Sequence, residues 1–162
     1  MRIEYEPIGT FHTPFTRARG MPVQPSGANG VRGTIEIEPR FHDGLRDLDG
    51  FSHVIVLYHL HRIEGYELIV TPYLDTEQHG IFATRSPRRP NPIGLSVLHL
   101  ERIENGTLFV EGVDVLDGTP VLDLKPFVPD FDARDVLRLG WLEMVSGDAR
   151  HRRSDGRFHP DE

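Results

Sequence analysis

An all-β fold, a small β-barrel with short helices, is the fold class that the sequence predicts. Sixteen glycines and 13 prolines among 162 residues indicate many tight turns between short elements. Several short stretches alternate apolar and polar residues with the period of two that half-buried strands show. Strand–helix–strand alternation and the G-x-G-x-x-G motif are both missing from the sequence, which disfavours a Rossmann cofactor domain.

The first quarter of the chain predicts two strands and a helix. Residues 3–13 are the first strand candidate, and the proline- and glycine-rich stretch 14–33 predicts a loop. Residues 34–38 (TIEIE) alternate as a half-buried strand does, and residues 41–48 are long enough for a short helix. Closing such strands into a barrel removes exposed sheet edges.

The middle of the chain predicts the central strands. Residues 53–61 (HVIVLYHLH) are β-branched and apolar enough for a central strand, and residues 67–71 predict another. Three further strands are expected at 94–104, 107–116 and 120–124. The dipeptides Asn-Gly and Asp-Gly that separate them tolerate positive φ angles, so both turns are predicted to be hairpins of an antiparallel meander.

The end of the chain predicts one helix and a polar tail. Residues 132–139 begin with a capping aspartate and have helical spacing. Residues 145–162 contain almost nothing to bury, which predicts a mobile tail after a single domain at 1–144.

Composition and charge exclude several function classes. The absence of cysteine excludes disulfides, thiolate metal sites and a cysteine nucleophile. A net charge of -7 disfavours non-specific binding to a polyanion, so any contact with nucleic acid needs a local basic patch. No apolar run is long enough to cross a bilayer and the polar start is unlike a secretory signal, so a cytoplasmic protein is expected.

The most unusual segment is GIFATRSPRRPNPIG at residues 80–94. Its three prolines prevent a regular helix or a central strand and stiffen the backbone. Arg85, Arg88 and Arg89 would lie on this stiff backbone, where forked donors grip a carboxylate or phosphate at low entropic cost. The segment therefore predicts a ligand-binding loop; the alternative is a structural connector with solvated arginines.

A cluster of acidic residues surrounds the second predicted hairpin. Asp114, Asp117 and Asp123 lie there, together with Lys125, the single lysine beside 17 arginines. Asp123 and Lys125 are two positions apart and share a face of a regular strand. These residues predict a polar cluster, although turn formation and capping are the alternative roles for the aspartates.

Three histidines share one face of the predicted central strand: His53, His59 and His61. Histidines at positions i and i+2 of a strand are able to reach one metal ion, which keeps a histidine-metal hydrolase open. Structural or solvated roles are the alternative, and no H-x-E or H-E-x-x-H pattern supports a metal site.

Three motifs together resemble one family. GIFATRSPRRPNPIG, FSHVIVLYHLH and DVLDGTPVLDLKPF are similar to segments of the TsaA-like family, also called TrmO, whose members are S-adenosylmethionine-dependent tRNA methyltransferases. The resemblance covers about residues 5–142. It implies a small β-barrel methyltransferase of the non-Rossmann type that works as a homodimer, without a metal, and binds S-adenosyl-L-methionine near the subunit interface. The implied substrate is N6 of threonylcarbamoyl-adenosine in the tRNA anticodon stem-loop.

The resemblance implies cofactor contacts for individual residues, and the chemistry of methyl transfer suggests catalytic and substrate-binding roles for others. The cofactor-binding stretches of the family correspond to Val23, Gln24, Pro25, Leu60, His61, Arg85, Leu95, Asp117, Gly118, Thr119 and Pro120. The catalytic candidates are Asp114 and Asp123 as bases, with Lys125 pairing either with the threonyl carboxylate of the modified base or with Asp123. Candidates for substrate contacts are Arg88, Arg89 and Asn91. The competing interpretation is a barrel that binds S-adenosylmethionine or RNA without turnover.

Overall fold

Six antiparallel strands close a barrel in the computed structural model, which describes residues 1–22, 28–144, 153–155 and 158. Around the barrel the strands follow the order β1-β2-β7-β6-β3-β8, while β4 and β5 pair separately. The strands are β1 (Gly9–His12), β2 (Arg32–Ile37), β3 (His53–His59), β4 (Ile69–Val70), β5 (His79–Gly80), β6 (Ile93–Glu104), β7 (Thr107–Glu111) and β8 (Pro120–Pro126). The predicted fold class is confirmed.

The barrel interior is filled by the inward side chains of alternating strand positions. In β3 the buried side chains are Val54, Val56 and Tyr58, in agreement with the period of two seen in the sequence. Phe11 and Leu98 are fully buried from other strands and join the same core. Burying each large apolar side chain stabilises the fold by roughly 1.5–3 kcal/mol.

One of the two predicted hairpins is present. Asn105 and Gly106, with φ angles of 49° and 80°, connect β6 to β7 as the sequence predicts. The prediction of the second hairpin is wrong, because β7 and β8 do not pair with each other. Strand β7 pairs with β2 and β6, whereas β8 pairs with β1 and β3. Strand β7 ends at Glu111, and Gly112, with φ of 90°, turns the chain away from the ladder.

Several predicted elements are shorter than expected. The first strand covers four residues instead of residues 3–13, and β4 has two residues instead of residues 67–71. The helix predicted at 41–48 consists of two 3-10 segments, Pro39–Leu45 and Leu48–Gly50.

The helix predicted at 132–139 is wrong. One turn, α1 (Pro129–Asp132), ends where the prediction begins, and residues 133–139 have no regular structure. Val136 and Leu137 are exposed, so this stretch has no apolar surface to pack against. Without tertiary packing, a helix of this length is marginal in water.

Some residues of the predicted tail contact the domain, and most of residues 145–162, for which mobility is predicted, lie outside the described residues. Phe158 is buried with Val70 and Ile81, and its ring meets Tyr73 edge-on at 5.0 Å. The backbone of Ser154 exchanges hydrogen bonds with residues 20–21. Among the described residues, no helix has the length and apolar character needed to cross a bilayer.

Candidate functional site

A cleft of about 830 Å³ lies where two segments meet beside the barrel. One segment is the arginine loop, residues 80–94, and the other is the acidic turn, residues 113–119; both contribute to its walls. The volume is within the usual range of small-molecule sites. The two segments that the sequence singled out for chemistry are therefore brought together.

The arginine loop is braced from within. Ile81 anchors it in an apolar cluster, and the hydroxyl of Thr84 donates to the Ile81 carbonyl at 2.9 Å. Nη1 of Arg89 donates to the carbonyls of Thr84 at 2.8 Å, Ile81 at 3.3 Å and Ser86 at 3.4 Å. Arg89 thus braces the loop's own backbone and also lines the cleft, and the substrate contact predicted for it stays a prediction.

The other loop candidates have different surroundings. Arg88 forms an ion pair with Glu67, and its Nε donates to the Phe158 carbonyl at 3.5 Å. Neither Arg88 nor the exposed Asn91 lines the cleft. Arg85 is exposed and lines the cleft, where its guanidinium interacts electrostatically with Asp114. Of the three predicted ligand-binding arginines, Arg85 and Arg89 line the cleft and Arg88 does not.

A hydrogen-bonded chain runs from the barrel core to the cleft. The Tyr58 hydroxyl lies 3.0 Å from Oγ of Ser96, and Ser96 donates to Oδ1 of Asp114 at 2.8 Å. Val113 and Val115 on either side of Asp114 are buried in the core and fix its backbone. A predicted catalytic carboxylate is therefore anchored in the wall of the cleft.

The surroundings of Asp114 favour its protonated form. Burial raises the pKa of Asp114 from 3.8 to about 6, against the opposing effects of the Ser96 hydrogen bond and the positive charge of Arg85. Burial and the nearby Asp114 charge also raise the pKa of Tyr58. A carboxyl group with a pKa close to neutral is suited to accept or donate a proton.

A glycine makes room for the Tyr58 ring. Gly94 pairs with Tyr58 across β3 and β6, and a Cβ at position 94 would lie 2.1 Å from Cε2 of that ring. The ring also meets Phe11 edge-on at 5.7 Å. The close approach sets the position of the phenol that contacts Ser96.

Five of the predicted cofactor-contacting residues line the cleft: Leu60, His61, Arg85, Leu95 and Thr119. Burial and the positive charge of Arg62 lower the pKa of His61, whose Nδ1 lies 3.4 Å from the Thr119 hydroxyl. The neutral imidazole is thus favoured at this wall.

Three further cofactor candidates do not line the cleft, and three lie outside the described residues. Asp117, Gly118 and Pro120 are not among the residues that line the cleft. Asp117 instead accepts a hydrogen bond from the Thr13 amide at 3.0 Å, which ties the acidic turn to the segment that follows β1. The predictions for Val23, Gln24 and Pro25 lie outside the described residues.

Asp123 and Lys125 lie on the outer face of the barrel. They pair with Leu57 and Ile55, whose side chains point away from the core positions of β3. Nζ of Lys125 lies 2.6 Å from Oδ2 of Asp123. Lys125 therefore holds Asp123, as one of its two predicted roles states, and neither lines the cleft.

The three histidines do not form a cluster. His53 lies at one end of β3 and stacks edge-on against His99, whereas His59 ends the strand and His61 lies in the following turn. Within the part of the chain that the structure describes, no group of three or more His, Asp or Glu side chains is arranged to hold a metal ion.

Sequence analysis did not identify Tyr58, Ser96 or Trp141. Tyr58 and Ser96 carry hydroxyl groups at inward positions of apolar strands, and that pattern is a signal available from the sequence. Trp141 lines the cleft from the 3-10 segment Gly140–Met144, in a region predicted to follow a helix.

Comparison with known proteins identifies the family. Residues 10–133 match the model described as the tRNA-methyltransferase O N-terminal domain. The chain belongs to the TrmO family. A TrmO-family crystal structure, TrmO from Pseudomonas aeruginosa, superimposes with a TM-score of 0.73 at 40% identity, covering 87% of this chain and 63% of that one.

Relatives of this TrmO-family chain differ in length. A probable S-adenosyl-L-methionine-binding protein of Pyrococcus abyssi is 48% identical over 98% of this chain and 86% of its own length. The tRNA (adenine(37)-N6)-methyltransferase of Mus musculus is 38% identical over 82% of this chain and 32% of its own length. The chain therefore spans about a third of the mouse protein and most of the Pyrococcus protein.

Proposed function

We propose that this TrmO-family chain is an S-adenosyl-L-methionine-dependent methyltransferase that modifies N6 of an adenine in tRNA. The observation that carries the proposal is the cleft in which Arg85 and the partly buried Asp114 face a common space. The names of the relatives indicate the cofactor and the substrate class. Because this chain spans about a third of the mouse methyltransferase, the reaction of that protein is proposed for this chain.

The residues of the cleft fit the cofactor. Oγ of Ser86 is buried in the cleft wall and has no hydrogen-bond partner within the described residues, so a polar ligand group would satisfy it. The Arg85 guanidinium suits the carboxylate of an amino acid moiety. Leu60 and Leu116 offer apolar surface to an adenosine.

Asp114 is the proposed general base. When bound, the cofactor supplies an electrophilic methyl group. The acceptor nitrogen carries a proton that must leave, and an ionised Asp114 is positioned in the cleft to take it. The Ser96 hydrogen bond occupies Oδ1 and limits rotation of the carboxylate, which orients the base before substrate binds.

The substrate proposed in detail is threonylcarbamoyl-adenosine next to the tRNA anticodon. Its N6 is urea-like, so the lone pair is delocalised and a base contributes more than it would at an amine.

We also propose a homodimer, because Ile93 and Leu95 are exposed apolar side chains at the edge of the cleft, where a second copy would cover them. The inferred compartment is the cytoplasm, where such tRNAs are used.

The test is methyl transfer by the purified protein. Labelled S-adenosylmethionine is incubated with tRNA that carries threonylcarbamoyl-adenosine and, in parallel, with the same tRNA carrying unmodified adenosine. Methyl incorporation into the first tRNA alone is expected, and Asp114→Asn is expected to abolish most of it while cofactor affinity remains.

The alternative is a barrel that binds the cofactor or RNA without turnover. The Pyrococcus relative, which this chain covers over most of its length, is named only for binding. Calorimetric binding of S-adenosylmethionine without methyl incorporation into either tRNA contradicts the proposed enzyme and favours this alternative. Light scattering of the purified protein measures the oligomeric state independently of activity.

A further inference from the structure

Two aromatic side chains at the rim of the cleft take no part in the core. Phe82 is 76% exposed, and Trp141 lies in the 3-10 segment after the last barrel strand. Both line the cleft. Neither belongs to any of the three apolar clusters formed by the described residues. Burial in the core therefore does not account for an aromatic ring at either position.

The Trp141 indole has a fixed orientation. Its Nε1 donates to the carbonyl of Ala83 at 2.8 Å, and its ring stacks on His79 with centroids 4.4 Å apart and an interplanar angle of 16°. His79 in turn lies 2.9 Å from the Asp75 carboxylate, measured from Nε2 to Oδ2. A ring that is ordered before binding loses little entropy when a ligand stacks on it.

The rings of Phe82 and Trp141 and the guanidinium of Arg85 line the same cleft. Ala83, which binds the indole, directly follows Phe82, and Arg85 lies two positions further along the same loop. Exposed aromatic rings beside a guanidinium are the combination by which proteins bind unpaired nucleobases. We propose that Phe82 and Trp141 form a stacking surface for the acceptor adenine of the RNA. The inference rests on the proposed function and adds a substrate-binding site to it.

The exposure of the rim favours the acceptor base over the adenine of the cofactor. A small ligand buries most of its surface against enclosing walls, and those walls include the buried Thr119 and the half-buried Leu60. A base presented by a large RNA has to enter from solvent. Phe82, at the exposed edge of the same cleft, lies where such a base arrives first.

Trp141 is the single tryptophan of the chain, so its fluorescence reports on this surface. The protein is saturated with S-adenosylhomocysteine and titrated with an anticodon stem-loop RNA. A second RNA is identical except for an abasic nucleotide at the adenine 3′ of the anticodon. Stronger quenching by the adenine-containing RNA is expected. Equal quenching by both RNAs, or complete quenching by S-adenosylhomocysteine alone, overturns the inference.

Affinity measurements test the same surface without relying on fluorescence. Phe82→Ala is expected to weaken binding of the adenine-containing RNA at least about fivefold, given the measured contribution of base stacking on aromatic rings. Affinity for S-adenosylmethionine is expected to stay unchanged. The matched control is Phe131→Ala, which removes an exposed phenylalanine that does not line the cleft. An RNA affinity of Phe82→Ala equal to that of the control contradicts the proposal.

The aromatic character of position 141 is tested by two substitutions. Trp141→Phe is expected to retain most of the affinity for the adenine-containing RNA, and Trp141→Ala is expected to lose most of it. Thermal unfolding of both variants shows whether each one is folded. Methyl transfer by the unaltered protein, together with normal RNA binding by Phe82→Ala, overturns this inference alone. Adenine-dependent quenching without methyl transfer supports the stacking surface and contradicts the proposed reaction.

Discussion

The Ser96 hydroxyl donates a hydrogen bond of 2.8 Å to Oδ1 of Asp114 and so joins a cleft carboxylate to the barrel core. A serine hydroxyl has one proton to donate. While Asp114 is ionised, the proton between Tyr58 and Ser96 must therefore come from the tyrosine. Which group donates in the hydrogen bonds between Tyr58, Ser96 and Asp114 therefore depends on the protonation state of Asp114.

Methyl transfer is expected to depend on pH through Asp114. The base must be ionised, so activity should fall below a pH of about 6, the pKa of Asp114, and level off above it. Arg85 and Tyr58 are the charged and titratable groups that interact with this carboxyl. Rates at saturating cofactor and RNA from pH 5 to 9 measure the profile.

Removing the Ser96 hydroxyl should shift that profile. Ser96→Ala deletes a hydrogen bond that favours the ionised carboxylate, so the acid limb is expected to move upward by about one pH unit. The matched control is Ser52→Ala, which removes an exposed serine hydroxyl beside His53. An acid limb that stays in place in Ser96→Ala would mean that Asp114 is not the titrating base.

Asp114→Asn is expected to stabilise the fold at neutral pH. Because folding raises the pKa of Asp114, ionisation of its carboxyl destabilises the fold. The free energy of unfolding therefore falls as pH rises from 3.8 to about 6, and at higher pH it stays lower by about 3 kcal/mol. The variant should therefore gain up to this amount at pH 7.5 and nothing at pH 3.5. Urea unfolding at both pH values measures the difference, with exposed Asp43→Asn as control. An equal gain at both pH values would contradict the ionisation argument.

Arg85→Ala is expected to weaken cofactor binding about tenfold or more, as loss of a charge-assisted contact predicts. Calorimetry with S-adenosylhomocysteine measures this effect. Arg32→Ala is the control, since its guanidinium forms an exposed ion pair with Glu101 at 2.9 Å and does not line the cleft. Matching affinities for the two variants would exclude Arg85 from the cofactor site.

Gly94→Ala is expected to destabilise the barrel by about 3 kcal/mol, because the added Cβ would overlap the Tyr58 ring. Gly44→Ala is the control, since no atom beyond its chain neighbours and the local backbone of its 3-10 segment lies within 4 Å of the position of its Cβ. Guanidinium unfolding of both variants is the measurement. A loss below about 1 kcal/mol for Gly94→Ala would show that the ring moves aside at low cost.

Local patterns in the sequence determined much of the barrel. Apolar and β-branched composition predicted β3, and alternation predicted β6, nearly to their ends; Asn105-Gly106 predicted the hairpin that follows β6. The prolines of residues 80–94 likewise indicated a stiff loop that carries arginines. Each of these features depends on neighbours in the chain, because side-chain periodicity and backbone φ preferences act over a few residues.

Only the tertiary structure decided how these elements combine. Closure of the barrel pairs β8 with β1, and this replaces the predicted second hairpin by a turn that delivers Asp114 to the cleft. There Asp114 meets Ser96 across a separation of 18 positions, and Ser96 meets Tyr58 across 38. No local pattern encodes such distances, since they follow from which strands lie side by side. Tertiary packing also brings Arg85 close to Asp114 in the cleft, whereas the hydrogen bonds by which Arg89 braces its loop are local.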